Sequence, residues 1–262
     1  MDNLATLFTK IEAGLLEYGS QNLPAKQVKN ALDAFKHFEG RTLTDEQVFE
    51  MLVFIVFYSG FRAETVNQKR DIIRGHFPSI STVESYTEQD INKILADPAM
   101  IKNRGKVKGC VANAEALSSI IEEHGSFKGY LDTFQAERSF ENLMLLKEEL
   151  QGLFSFLGGI TVYHFLTDLG MPVLKPDRVI MRMFQRLGLI ENSGQLLKSV
   201  IIGRKIAEAT ELPIRYIDIV LVAYGQAEST QFGVDKGICL IKPRCEICRV
   251  SSMCDYYNKK GR

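Results

Sequence analysis

Four cysteines fall within sixteen residues near the C-terminal end, Cys239, Cys245, Cys248 and Cys254, and no packing need gathers thiols in that way. The segment that carries them has to fold as a loop closed around something. The spacing C-x5-C-x2-C-x5-C sets one close pair between two single cysteines, so that one loop can wrap four thiolates around a [4Fe-4S] cluster. Four-cysteine zinc sites usually join two short pairs across a longer stretch, so zinc suits the spacing less well. Disulfides suit it least. Residues 1–20 hold no continuous apolar segment after a basic start, as a secretory signal would, and the fifth cysteine, Cys110, has no obvious partner. The expected setting is the cytoplasm.

The rest of the chain reads as helix. Thr44-Asp45-Glu46-Gln47 has the form of a capping box, in which the Thr hydroxyl and the Gln side chain take up the first free amides of a helix. That helix holds the apolar run Met51 to Phe57, which lacks a polar stripe and should be enclosed on most sides. The run is far shorter than the roughly 20 residues that span a bilayer. Further helices are expected at about 63–75, 87–96, 103–124, 140–154, 161–169, 178–187, 193–210 and 213–224, with prolines and glycines between them and little room for β-sheet. With 262 residues and 45% hydrophobic content the chain can bury a real core. Its formal net charge is zero, so any hold on nucleic acid must come from local clusters of Lys and Arg. Two exist: Lys102, Arg104, Lys106 and Lys108 without an acid among them, and the stretch from Gln231 onward, with seven cations against three acids. Runs of this kind are commonly no more than a solvated face.

Between two apolar helical stretches lies Phe154 to Tyr163, with Gly158 and Gly159 at its centre. Adjacent glycines permit a tight turn, and the amides that open the next helix point outward at its positive end, an arrangement that can hold a phosphate. An ordinary helix–helix connection has the same sequence form. A second segment further along the chain sharpens the choice: Lys175-Pro176-Asp177-Arg178, with Asp177 placed to begin the helix Val179 to Phe184.

In order, the glycine hairpin, the short helix, the aspartate before Arg178 to Gly188, and the terminal cysteine loop resemble the helix-hairpin-helix (HhH-GPD) DNA glycosylases. The loop Lys242-Pro243-Arg244-Cys245-Glu246-Ile247-Cys248, then Cys254-Asp255-Tyr256, is similar to that of the endonuclease III and adenine mismatch branches, with its first gap one residue shorter than the usual six. The middle resembles another branch, 3-methyladenine DNA glycosylase I, through Ser59-Gly60-Phe61, Glu64-Thr65-Val66, Lys69-Arg70, Ile101 to Lys106 and Phe156-Leu157-Gly158. Ile55 stands where that family has its base-recognising glutamate, Ala63 where it has a stacking tryptophan, and its Cys/His zinc site has no match.

The resemblance implies an all-α fold of two helical domains: a barrel over 44–163 ending in the helix-hairpin-helix, and a discontinuous domain of 1–43 plus 164–262 that carries the iron–sulfur loop 239–254, with a groove between them for DNA. It implies a monomeric, nucleoid-associated base-excision enzyme acting on double-stranded DNA with a damaged, mispaired or modified base. Asp177 is the implied catalytic carboxylate. The hairpin residues Leu157, Gly158, Gly159 and Thr161, with Lys175, Arg178, Lys242, Arg244 and Arg249, are the implied DNA contacts, and the four cysteines the cluster ligands. Ile160 occupies the place of the lysine nucleophile of bifunctional members, which implies a monofunctional glycosylase, although Lys175 lies near enough to keep a lyase activity open. A non-catalytic damage sensor and an iron–sulfur electron carrier are the competing readings. The base excised, whether alkylated purine, mispaired adenine or modified pyrimidine, stays open.

Overall fold

A computed structural model describes residues 2–260. Its helices are α1 (Asp2–Gly19), α2 (Ala25–Asp33), α3 (Asp45–Tyr58), α4 (Ala63–Asn67), α5 (Arg70–His76), α6 (Ile80–Val83), α7 (Glu88–Ala96), α8 (Arg104–His124), α9 (Phe127–Thr133), α10 (Phe140–Leu153), α11 (Thr161–Asp168), α12 (Arg178–Arg186), α13 (Leu196–Thr210), α14 (Ile214–Gly225) and α15 (Asp255–Lys260). No β-strand occurs among the described residues, and no helix there is long and apolar enough to cross a membrane. The chain divides into two compact units, Arg41–Met171 and Met1–Gly40 with Pro172–Arg262. The unit 41–171 runs on past position 163, because α11 stays whole and packs against α3 and α10 of the same unit.

In the unit 41–171, the box at the start of α3 forms as its residues dictate. Thr44 Oγ1 accepts from Gln47 N at 3.3 Å and Gln47 Oε1 from Thr44 N at 3.0 Å. The two acids of that first turn serve other helix starts, where amides also lack partners. Asp45 Oδ1 accepts from Phe127 N at 2.8 Å, and Glu46 Oε2 from Ile80 N at 3.2 Å. Between them α3 buries Val48, Phe49 and the run Leu52 to Phe57 against α8 and α11. The helix expected over 63–75 is two helices. An i to i−3 bond from Lys69 N to the Val66 carbonyl tightens the chain there, and the Lys69 ammonium turns to the Ala99 carbonyl.

In the other unit, α1, α12, α13 and α14 share a core that includes Phe8, Ile11, Leu15, Ile180, Phe184, Ile206, Ile217, Val220 and Tyr224. Removing one of the buried phenylalanines would cost about 3–5 kcal/mol. Two glycines let α12 and the segment before it come close. A Cβ on Gly203 would stand 2.8 Å from that of Leu174, and one on Gly225 would stand 2.6 Å from Val179. The strip that leads into α12 is therefore pressed between α13 and α14.

Candidate active site

Asp177 is the N-cap of α12, with extended backbone (φ −79°, ψ 175°). Its Oδ1 accepts from Val179 N at 2.8 Å and from Ile180 N at 3.0 Å. Both bonds use one oxygen, so the half-buried carboxylate is oriented by the helix start while Oδ2 has no hydrogen-bond partner among the described residues. The preceding chain is equally tied. Lys175 N donates to Asp218 Oδ1 at 3.1 Å, Pro176 has no amide to satisfy, and Asp177 N returns to the Lys175 carbonyl at 2.8 Å.

Asp218 lies on α14, only 2% exposed, and Arg215 Nη1 stands 3.0 Å from its Oδ2. Burial pushes the Asp218 carboxyl up to about 6, against the pull of Arg215 and the Lys175 amide, with the charge of Asp177 adding to the rise. Sequence reasoning passed over Asp218. The signal was one acid inside the otherwise apolar stretch Tyr216 to Tyr224.

The hairpin belongs to the unit 41–171. Asn113 of α8 fixes its entry, Oδ1 accepting from Ser155 N at 2.7 Å and Nδ2 donating to Ser155 O at 3.2 Å. Phe156 comes next at φ 67°, its ring pressed on Gly109, where a Cβ would meet it at 2.7 Å. Thr161 Oγ1 donates to the Phe156 carbonyl at 2.7 Å and closes the turn. Leu157 has a buried side chain, and its amide donates to the Phe154 carbonyl at 3.4 Å. The amides of Gly158, Gly159, Ile160 and Thr161 have no protein acceptor among the described residues, and Gly158 and Gly159 are exposed.

Beside α3 the same unit holds a cavity of about 300 Å³, large enough for a small ligand. Gln47, Glu50, Met51, Phe54, Ile55 and Tyr58 line it at the spacing of one helix face. Arg70 lies 4.2 Å over the Phe54 ring and reaches the Tyr58 hydroxyl at 3.4 Å. Glu50 pairs with Arg74 at 2.7 Å, and His164, also lining the cavity, stands 3.2 Å from Asp168. The polar stripe of α3 that these residues form was legible at positions 47, 50 and 58 but was masked by the apolar run beside it.

The cysteine loop packs on α12. Cys239, Cys245, Cys248 and Cys254, each partly buried, line one small pocket walled by Ile238, Pro243, Tyr256 and Tyr257. Arg186 Nη1 lies 3.4 Å from the Cys239 sulfur, and the Tyr224 hydroxyl lies 3.3 Å from that of Cys248. Among the described residues no three His, Cys, Asp or Glu side chains form a group that could hold a single metal ion.

The basic residues expected to touch DNA divide into two sets. Arg244 is stacked on Tyr18, 4.7 Å from the ring, and donates to its hydroxyl at 2.7 Å, while Arg249 pairs with Glu17 at 2.8 Å. Arg178 and Lys242 are exposed and Lys175 partly so.

A family model described as Methyladenine glycosylase matches residues 34–175, more than half of the chain. Among solved structures, the chain is similar to endonuclease III in a trapped covalent intermediate with DNA, at 15% identity over 92% of this chain and 100% of that one, TM-score 0.55. It is similar to the 8-oxoguanine DNA glycosylase of Thermotoga maritima at 20% identity over 86% and 100%, TM-score 0.53. A third match is 3-methyladenine DNA glycosylase I from Staphylococcus aureus, at 24% identity over 53% and 84%, TM-score 0.43. The first two have the helix-hairpin-helix glycosylase fold that this chain shares.

The buried acid has a consequence for stability. An unfolded aspartate titrates near about 3.9. Raised to about 6 in the fold, Asp218 favours the folded state fully below about pH 4, and that contribution is lost as pH rises through about 6. The unfolding free energy of the wild type relative to Asp218→Asn should therefore fall by up to about 3 kcal/mol between about pH 4 and pH 7. Urea unfolding across that range reads it, and a difference that stays flat would contradict the burial argument.

Proposed function

Because the chain belongs to the methyladenine glycosylase family, and is thereby a DNA N-glycosylase with the fold of base-excision repair, we propose that it turns a damaged or modified base out of the duplex and hydrolyses its N-glycosidic bond with Asp177 as the catalytic carboxylate. The observation that carries this reading is the division of labour between the two Asp177 oxygens, one bound by helix amides and the other free. As the bond to the base breaks, the deoxyribose gains oxocarbenium character. A fixed carboxylate in a water-poor site stabilises that cation without having to reorganise, and the free oxygen can orient or deprotonate the attacking water. Eversion costs a few kcal/mol, least for a base that is already mispaired or damaged.

The four unpaired amides from Gly158 to Thr161 are the proposed phosphate clamp, with Lys175, Arg178 and Lys242 as added contacts. Each true phosphate contact steepens the log-affinity against log-salt slope by about 0.9. Arg244 and Arg249 are better employed in tying the cysteine loop to α1. The cavity beside α3 is the proposed seat of the base. With Ile55 in place of the family's glutamate, it offers no carboxylate at that position to a cationic alkylated purine.

The spacing C-x5-C-x2-C-x5-C, with all four cysteines lining one pocket, fits a [4Fe-4S] cluster better than zinc. Cys239, Cys245, Cys248 and Cys254 would hold the cluster. Its contribution would be to order the loop that presents Lys242, and no chemical step passes through it. With Ile160 in the place of a lysine nucleophile, the enzyme is monofunctional and leaves an abasic site.

Asp177→Asn keeps an equivalent cap, since Asn and Asp cap helices about equally well. Single-turnover excision from a panel of lesion-bearing duplexes should fall at least about 100-fold, with unchanged DNA affinity and unfolding midpoint, and borohydride should trap no covalent complex on abasic DNA. Wild-type excision by the variant would end the catalytic assignment, and a trapped complex lost on Lys175→Ala would end the monofunctional one. Protein purified without oxygen should contain iron and sulfide and absorb visible light, features lost in Cys248→Ala. A colourless protein with one equivalent of zinc would contradict the cluster.

A further inference from the structure

Asp218 is a costly residue for its position. It is the one ionisable acid in the apolar stretch Tyr216 to Tyr224, it is almost fully buried, and holding its charge there opposes folding at neutral pH. Apolar replacements of buried ion pairs are often neutral or stabilising, so the packing of α14 alone does not account for a carboxylate at this point. Its bonds do. One oxygen accepts from the amide of Lys175 and the other pairs with Arg215. Arg215 is itself held from other directions: its guanidinium lies 4.9 Å over the Phe38 ring, and its backbone amide donates to Glu39 at 2.9 Å. With one oxygen committed to a fixed guanidinium, the carboxylate cannot turn away from Lys175.

That commitment reaches Asp177 in two covalent steps. Lys175 N is set by Asp218, Pro176 allows its own φ little freedom, and Asp177 N bonds back to the Lys175 carbonyl. Leu174, pressed onto Gly203, prevents the strip from sliding along its own axis. We propose that Asp218, locked by Arg215, is a positioning residue for the reaction: it fixes the backbone of Lys175 to Asp177 and so aims the free oxygen of Asp177. The proposal rests on the catalytic assignment of Asp177. In this arrangement the α12 cap sets which way the carboxylate turns, and Asp218 sets where its Cα stands. Neither is sufficient alone, because a displacement of about 1 Å at a reacting group can cost on the order of 100-fold in rate.

The test compares Asp218→Ala, Asp218→Asn and Asp177→Asn, each measured for single-turnover excision per DNA-binding-competent molecule, for affinity toward a duplex with a neutral abasic analogue, and for unfolding midpoint. Asp218→Ala should lose about 10- to 100-fold in rate with affinity within about twofold of wild type. Asp218→Asn, which keeps an acceptor for the Lys175 amide but loses the charge that Arg215 holds, should recover about half of that loss on a logarithmic scale. A role limited to stability would move the midpoint and the competent fraction but leave the rate per competent molecule unchanged. A wild-type rate in both Asp218 variants beside an inactive Asp177→Asn would overturn the positioning role and leave the catalytic reading standing. An active Asp177→Asn would overturn both. If the alanine variant does not fold, the asparagine variant decides alone: a rate at least about threefold below wild type with unchanged affinity supports the proposal, and an unchanged rate defeats it.

Discussion

Every helix begins with amides that have no partner within the helix, and in a chain built of short helices these starts decide where the rest can go. Here side-chain oxygens take them up at Thr44, Ser79, Asn103, Ser126, Ser139 and Asp177. Asp45 and Glu46 extend the device, reaching from the first turn of one helix to the starts of two others. On the reading proposed above, the same requirement also serves the chemistry. At α12 an aspartate satisfies the amides with one oxygen and leaves the other without a partner among the described residues, and at the start of α11 the amides of Gly158 to Thr161 have no protein acceptor among them.

Much of this could be read in advance wherever the physics is local. The capping box at Thr44, the long helix after Asn103 and the aspartate before Val179 depend only on residues within a few positions of one another, and all three stand where the sequence puts them. What escaped depends on distant partners. The break at Lys69 follows from a carbonyl thirty residues away. No local pattern shows that Arg244 and Arg249, expected as DNA contacts, engage Tyr18 and Glu17, more than two hundred residues earlier. Asp218 was visible as an anomaly in an apolar helix, but its meaning required knowing that Lys175 lies against it.

On the readings proposed above, the fold bears a cost for function. A buried carboxylate whose pKa burial raises to about 6, paired with an arginine, is often no more stabilising than a well-packed apolar pair would be. The cysteine loop is a second instance. Its thiols surround a pocket walled by proline, isoleucine and tyrosine, and the guanidinium of Arg186 and the hydroxyl of Tyr224 approach two of the sulfurs. Donors so placed suit thiolates carrying a delocalised negative charge. Both arrangements are anchored on α12 and α14, so the helix that begins at Asp177 ends against the cysteine loop.

The central claim is electrostatic: a carboxylate held by a helix start stabilises positive charge on the sugar. It is tested most directly by the affinity of the protein for two abasic duplexes that differ only in that charge, one with a protonated pyrrolidine ring and one with a neutral tetrahydrofuran ring. The wild type should bind the cationic ring at least about 100-fold more tightly, and Asp177→Asn should reduce that preference to within a few-fold. Equal affinities in the wild type, or a preference that survives the substitution, would contradict the account.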